Sequence, residues 1–203
     1  MGQSQSRVRD LPGNIGRVDV GDVRAAVQEV RARLGNIPVA LCGGSHGGFI
    51  SAHLCAQFPQ DNWAAVVLRN PVVNIALMVG TSDIPDWCWV EALGEDAYKG
   101  QLGLASPDAL QEMFRCSPIA FVHQVVAPTL VHIGGSDRRV PPSQGNEWVR
   151  ALRAQGVEVA CRRYAKDGHA IDRPQSNALQ WQDTVEFLAA KGFRGAALKE
   201  ATS

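Results

Sequence analysis

The chain has 203 residues, 45% of them apolar and 20% charged, which is enough for one domain with a sizeable core and too few for two of ordinary size. Its 20 basic and 20 acidic residues cancel to a formal net charge of zero, which removes the electrostatic case for nucleic acid or an anionic membrane as main partner. The longest apolar runs, such as Ala64 to Leu68, fall far below a membrane span.

Residues 1–18 are polar, contain Arg and Gly, and show no sustained period. The start has no apolar core for a signal peptide, and its Gly2 and Ser6 match only the loose N-myristoylation pattern, so it is read as a polar disordered segment. From Asp19 onward Val20, Val23, Val27, Val30 and Leu34 recur at spacings of three and four, which predicts an amphipathic helix. Asp19 and Asp22 sit near its positive end, and Gly35 lies past its other end. Ile37 to Cys42 reads as a short buried strand with Pro38 at its start. The run Gly43-Gly44-Ser45-His46-Gly47-Gly48 then turns into a helical stretch, Phe49 to Cys55, stopped before Pro59.

Ala64 to Leu68 makes the next strand, and residues 70–120, richer in Pro, Trp and Asp, read as loops and small helices. Thr129 to Ile133 is a strand, and Ser143 to Leu152 a helix with Trp148, Val149 and Leu152 inward. Val157 to Tyr164 is another strand, and Gln175 to Ala190 is a helix carrying Leu179, Trp181, Val185, Phe187 and Leu188. Residues 193–203 form a tail. Strands alternating with helices place residues 19–192 in the α/β class, with a mostly parallel sheet covered by helices on both faces. The five cysteines, Cys42, Cys55, Cys88, Cys116 and Cys161, are odd in number and lack a C-x-x-C pair, which fits reduced thiols in a cytoplasmic protein.

Gly43-x-Ser45-x-Gly47, set between a strand and a helix, fits a nucleophile elbow. A serine on so sharp a turn needs small neighbours two residues to either side; Gly43 and Gly47 meet that need, and Gly48 adds room for close packing. The turn points the Ser45 hydroxyl out of the sheet and leaves the His46 backbone N–H, at a helix start, facing the place where an oxyanion forms. The competing reading, a phosphate-binding βα turn, lacks the glycine spacing of the dinucleotide fingerprint and the Lys-Ser/Thr of a P-loop.

A serine hydroxyl needs a base to take its proton, and in elbow enzymes an acid and a histidine follow in that order, each just after a strand. Asp137, after the strand ending at Ile133, and His169, after the strand ending at Tyr164, match both order and placement. Asp167 competes as the carboxylate but reads better as a turn former. His53 and His132 read as structural, His123 as part of a connector, and the His46 side chain as lining the site. No histidine pair has zinc-ligand spacing, so neither metal nor cofactor is expected. Trp87 and Trp89 are either core or the walls of an apolar substrate pocket.

Gly43-Gly44-Ser45-His46-Gly47-Gly48-Phe49, Arg69-Asn70-Pro71-Val72, Asp83-Ile84-Pro85-Asp86-Trp87-Cys88 and Ser136-Asp137-Arg138-Arg139-Val140-Pro141 together resemble the acylaminoacyl-peptidases (acylpeptide hydrolases) of the prolyl oligopeptidase family of serine peptidases. The likeness runs from about Leu11 to Leu188. It implies an α/β-hydrolase fold and release of an N-acylated residue from the blocked N-terminus of short peptides through an acyl-enzyme. It also implies Ser45 as nucleophile, Asp137 as orienter and His169 as general base, in a cytoplasmic and often oligomeric enzyme. By analogy Arg69 positions the substrate backbone, although a structural arginine at a strand end fits equally.

The family also implies an N-terminal β-propeller and several strands ahead of the elbow, whereas one helix and one strand precede Ser45 here. The second oxyanion donor of the fold belongs to that earlier part. The expectation is therefore a fragment, a truncated product or one half of a split enzyme, weakly active or inactive alone. Such a chain pairs with a complementary N-terminal part or with copies of itself. Two other functions stay open: a non-catalytic interaction module working through an exposed sheet edge, and a carboxylesterase of the same fold.

Overall fold

The computed structural model describes residues 9–35, 37–98 and 104–193; the N-myristoylation pattern and all of the tail beyond residue 193 lie outside them. Three short apolar runs and one strand carrying two arginines form a parallel sheet in the order β1-β2-β3-β4: β1 (Val39–Gly44), β2 (Trp63–Arg69), β3 (Thr129–Gly134) and β4 (Val159–Tyr164), the last with Arg162 and Arg163 exposed. All six residues of β3 are buried, the pattern of an inner parallel strand covered on both faces. Among the described residues β1 and β4 are the sheet edges.

In chain order the helices are α1 (Val18–Leu34), α2 (His46–Gln57), α3 (Ile75–Met78), α4 (Pro85–Leu93), α5 (Pro107–Arg115), α6 (Pro142–Ala154) and α7 (Pro174–Ala190), with 3-10 turns at Pro59–Asp61, Glu95–Tyr98 and Pro118–Gln124. Alternation along the strands divides the work between two faces. Leu41, Val66, Leu68, Val131 and Ile133 point to the side where Leu54 of α2 and Trp148, Val149 and Leu152 of α6 complete the main core. Cys42, Val67 and His132 point the other way and line a groove of about 280 Å³ beneath Gln180, Trp181, Thr184 and Leu188 of α7. A second apolar cluster, including Phe49, Ile75, Met78, Cys88, Trp89 and Met113, joins the elbow helix to the excursion between β2 and β3.

Several expectations shift. The first strand begins two residues late, at Val39, and runs through Gly44, while α2 starts at His46 rather than Phe49. The last strand starts at Val159 rather than Val157. The described end of the polar N-terminal segment is not structureless: Ile15 is buried in the second cluster, and the Gly13 N–H donates to the carbonyls of Val90 and Glu91. The apolar stripes of α1 and α7 are largely uncovered. Only Val20 is buried on α1, leaving Val30 and Leu34 45% and 65% exposed; on α7 only Gln180 is buried, with Trp181 and Val185 64% and 62% exposed. The reason is packing: α1 rests mainly on α2, and α7 meets the sheet at β3 and through the Arg162–Asp183 pair, which leaves their outer faces open.

Candidate active site

Ser45 sits where β1 hands over to α2, at φ 55° and ψ −123°. A side chain in that region of backbone space costs about 1–3 kcal/mol, so the surroundings must hold it. They do so through the Ser45 N–H, which donates to the Arg69 carbonyl at 2.9 Å, and through the Ser45 carbonyl, which accepts from the Phe49 N–H at 3.0 Å. A Cβ on Gly43 would overlap the Gly47 carbonyl and lie 2.7 Å from Ser51 Oγ; one on Gly48 would lie 2.9 Å from Pro71 Cβ. One on Gly47 would meet nothing within 4 Å. The steric need expected at Gly43 and Gly47 thus holds at Gly43 and Gly48, because Gly47 faces open space.

His46 is the first residue of α2, and the N–H groups of a first helical turn have no intrahelical acceptor. Its ring does more than line the site. Nε2 lies 2.7 Å from Asp19 Oδ2, Trp87 presents to it edge-on at 5.8 Å, and Asp19 Oδ1 in turn accepts from the Gly16 N–H at 2.7 Å. Asp19, read from the sequence as a helix-end charge, is therefore the partner of His46. Nothing in a spacing of 27 residues could signal that pairing.

Asp137 lies on the loop after β3, with its side chain fully buried. Its Oδ1 accepts the N–H groups of Arg139 and Val140 at 2.9 and 3.0 Å, and its Oδ2 lies 2.7 Å from His169 Nδ1. A carboxylate oxygen at this distance accepts, so Nδ1 is the donor of the pair and Nε2 is the ring nitrogen left to face the cleft. Asp167 is occupied elsewhere, accepting from the Arg173 N–H at 3.2 Å and from Ser176 Oγ at 2.7 Å near the start of α7. Of the two loop carboxylates, Asp137 meets the imidazole.

Ser45, His46 and His169 share one cleft of about 140 Å³, walled by Val72, Met78, Ile84, Trp87, Arg139 and Val140. The open question about the two tryptophans divides: Trp87 is on the cleft, and Trp89, 9% exposed, belongs to the core. The sequence reading did not single out the aliphatic walls, and short apolar residues in loops carry no signal for such a role. Arg69 is not among the cleft's lining residues. Its guanidinium lies against Gly44, its Nη1 reaches the Ala170 carbonyl at 3.4 Å, and it borders the groove beneath α7.

The remaining histidines are structural in their contacts. His53 Nε2 faces the Cys116 carbonyl at 3.0 Å, so it carries the proton, and Nδ1 accepts from Gln57 Nε2 at 2.6 Å. His132 bridges Tyr164 Oη and Thr184 Oγ1 at 3.0 and 3.1 Å. Burial pushes the pKa of each ring down to about 4. His123 lies in the 3-10 turn Pro118–Gln124. Among the described residues no group of His, Cys, Asp and Glu could hold a metal ion, and no helix is long and apolar enough to cross a membrane.

Residues 2–192 match the sequence profile described as the prolyl oligopeptidase family. The acylamino-acid-releasing enzyme of Mus musculus is 43% identical over 189 residues, covering 92% of this chain and 25% of the relative. That of Arabidopsis thaliana is 40% identical over 179 residues, 87% of this chain and 23% of the relative. The chain thus spans about a quarter of the length of the curated relatives it matches. An acylaminoacyl peptidase solved in complex with Z-Gly-Gly-Phe-chloromethyl ketone superposes with a TM-score of 0.80 at 20% identity, covering 96% of this chain and 31% of that one. The fold is accordingly that of an α/β-hydrolase catalytic domain.

Proposed function

The chain belongs to the prolyl oligopeptidase family, and from that premise we propose that it carries the nucleophile, base and orienting acid of a serine peptidase that releases an N-acylated amino acid from short blocked peptides. One observation carries the reading: the Asp137–His169 bond of 2.7 Å belongs to a ring that opens onto the same cleft as Ser45. His169 Nε2 accepts the Ser45 proton as Oγ attacks the acyl carbonyl, and Asp137 stabilises the imidazolium that forms. The oxyanion is met by the His46 N–H at the positive end of α2. His169 then returns the proton to the leaving amine, and water repeats the sequence on the acyl-enzyme.

A cleft of about 140 Å³ with Val72, Met78, Ile84, Trp87 and Val140 as walls suits one modest apolar side chain, in keeping with removal of a single acylated residue. The relatives named acylamino-acid-releasing enzymes support that substrate class, as does the solved neighbour captured with a peptide chloromethyl ketone. Arg69, outside the cleft lining and reaching the Ala170 carbonyl at 3.4 Å, fits the structural alternative at the strand end better than a part in holding the substrate backbone. The five free thiols fit a cytoplasmic setting.

A second reading rests on the uncovered apolar positions of α1 and α7 and on β1, an edge of the sheet among the described strands. There the chain associates with copies of itself or with another chain. Labelling with a fluorophosphonate probe separates the two. Modification at Ser45, lost in Ser45→Ala and in His169→Ala, supports the peptidase; a folded chain that takes no label supports the interaction module. Faster turnover of an acetyl-alanyl amide than of a butyrate ester, relative to their uncatalysed rates, marks a peptidase rather than an esterase.

A further inference from the structure

We propose that Asn70 is a positioning residue whose side-chain amide holds the acid turn and the base loop in register; the inference rests on the reading of Ser45, Asp137 and His169 given above. Asn70 is the residue after β2, 3% exposed, with φ at +41°. Asparagine is one of the few side chains that enters this left-handed region readily. Its backbone N–H donates to the His132 carbonyl at 2.9 Å, which continues the β2–β3 pairing one step past the strand.

The side chain then reaches both loops that deliver the proposed machinery. Oδ1 accepts the Gly134 N–H at 2.7 Å, at the last residue of β3 and three before Asp137. Nδ2 donates to the carbonyl of His169 itself at 2.9 Å and to that of Gly168 at 3.3 Å. The preceding residue completes the set, since the Arg69 carbonyl accepts the Ser45 N–H. Two adjacent residues at the end of β2 therefore touch the nucleophile turn, the acid turn and the base loop.

The geometry explains why an amide is needed. Asp137 grips the imidazole at Nδ1, which by itself leaves the ring free to pivot about that bond and swing Nε2 away from Ser45. Asn70 grips the other end, at the His169 backbone, so ring and main chain are fixed at two points. A carboxylate at this site keeps the acceptor for Gly134 but turns like partial charges toward two carbonyls. An aliphatic side chain leaves the buried Gly134 N–H and the half-buried His169 carbonyl without this partner, while the Gly168 carbonyl keeps only the Ile171 N–H at 3.4 Å. Gly134 is pressed in the same spot, since a Cβ there would overlap the Gly168 carbonyl and lie 3.2 Å from Asn70 Nδ2. Displacing a reacting group by about 1 Å can cost roughly a hundredfold in rate.

The test compares Asn70→Gly, which accepts the positive φ, and Asn70→Asp with the parent chain. The readouts are kinact and KI for a fluorophosphonate at Ser45, the melting temperature, and the far-downfield proton resonance of the His169–Asp137 hydrogen bond. Expected is a fall in kinact of about tenfold or more with KI unchanged in folded Asn70→Gly, together with loss or broadening of the downfield resonance, and a larger fall in Asn70→Asp. A merely structural role would lower the labelled fraction and leave kinact of the folded molecules alone. A folded Asn70→Gly with kinact within about twofold of the parent and an unchanged resonance overturns the proposal. If the parent takes no label, the nucleophile reading fails, and the resonance decides the clamp by itself. If neither variant folds, exchange of the Asn70 side-chain amide protons in the parent decides it: protection supports the clamp, and free exchange refutes it.

Discussion

Acidification from a pH of about 7.5 to about 5 is expected to cost the fold roughly 4 kcal/mol through His53 and His132. Both rings are 1% exposed and held neutral by burial, with pKa about 4 against a reference of 6.5. As pH falls the unfolded chain takes up these two protons first, so the stabilisation is complete above about 6.5 and drains away on the descent toward 4. The full difference is about 3 kcal/mol per ring, of which about 2 kcal/mol has gone by a pH of about 5. For a domain with a total stability of about 5–15 kcal/mol, losing twice that is a shift of roughly 8–16 °C in Tm. Urea unfolding followed by tryptophan fluorescence at the two pH values measures it. His53→Gln and His132→Gln should each be less stable near neutrality yet flatter with pH, each removing about half of the slope. Parent and variants with parallel pH profiles, or a parent loss below about 1 kcal/mol, would refute the reasoning.

Three further outcomes follow from contacts and exposures described above. Gly43→Ala should destabilise by about 1–3 kcal/mol or more and abolish labelling at Ser45, because the new methyl group collides with the Gly47 carbonyl. Gly47→Ala, which meets open space, should fold as well as the parent or gain about 0.5 kcal/mol by reducing unfolded-chain freedom; denaturant midpoints decide. Trp181→Gln combined with Val185→Gln should change unfolding free energy by less than about 1 kcal/mol while reducing self-association in sedimentation velocity, since both side chains are mostly exposed.

The sequence made the β/α alternation legible because β1, β2 and β3 are short and apolar with Gly or Pro close by, and because α2 and α6 bury apolar residues. It said less about faces. The valines of α1 and the apolar residues of α7 have helical spacing, but period reports that a stripe exists and not what covers it. The short helices between β2 and β3 left readable marks that a residue-by-residue scan for caps would catch. Ser106 ahead of Pro107 and Asp108 accepts from the Ala109 N–H at 3.2 Å, and Asn74 accepts from the Leu77 N–H at 3.1 Å.

At the site, Ser45 was named from the Gly-x-Ser-x-Gly turn, Asp137 and His169 from strand order, and Trp87 from its place in a Pro-rich stretch. Asn70, Asp19 and the buried Gln144 were not. Gln144 accepts from the N–H groups of Val73 and Asn74 at 2.9 and 2.8 Å and donates to the Asn74 carbonyl at 2.9 Å. Such side chains work by joining segments distant in the chain, and no local pattern encodes a distant partner.

The sheet runs in unbroken sequence order, so among the described strands there is no reversal to open a crevice of its own. Val72, Met78, Ile84 and Trp87, four walls of the cleft, come instead from the excursion that leaves β2 and returns at β3. The proposed reactive groups and most of the cleft walls are thus carried by different stretches of polypeptide. Ile75, Met78, Cys88 and Trp89 of that excursion pack on Phe49 of α2, so exchanges that retune the cleft are confined to its wall positions Val72, Ile84 and Trp87. Such a division favours divergence of substrate range on an unchanged chemical chassis.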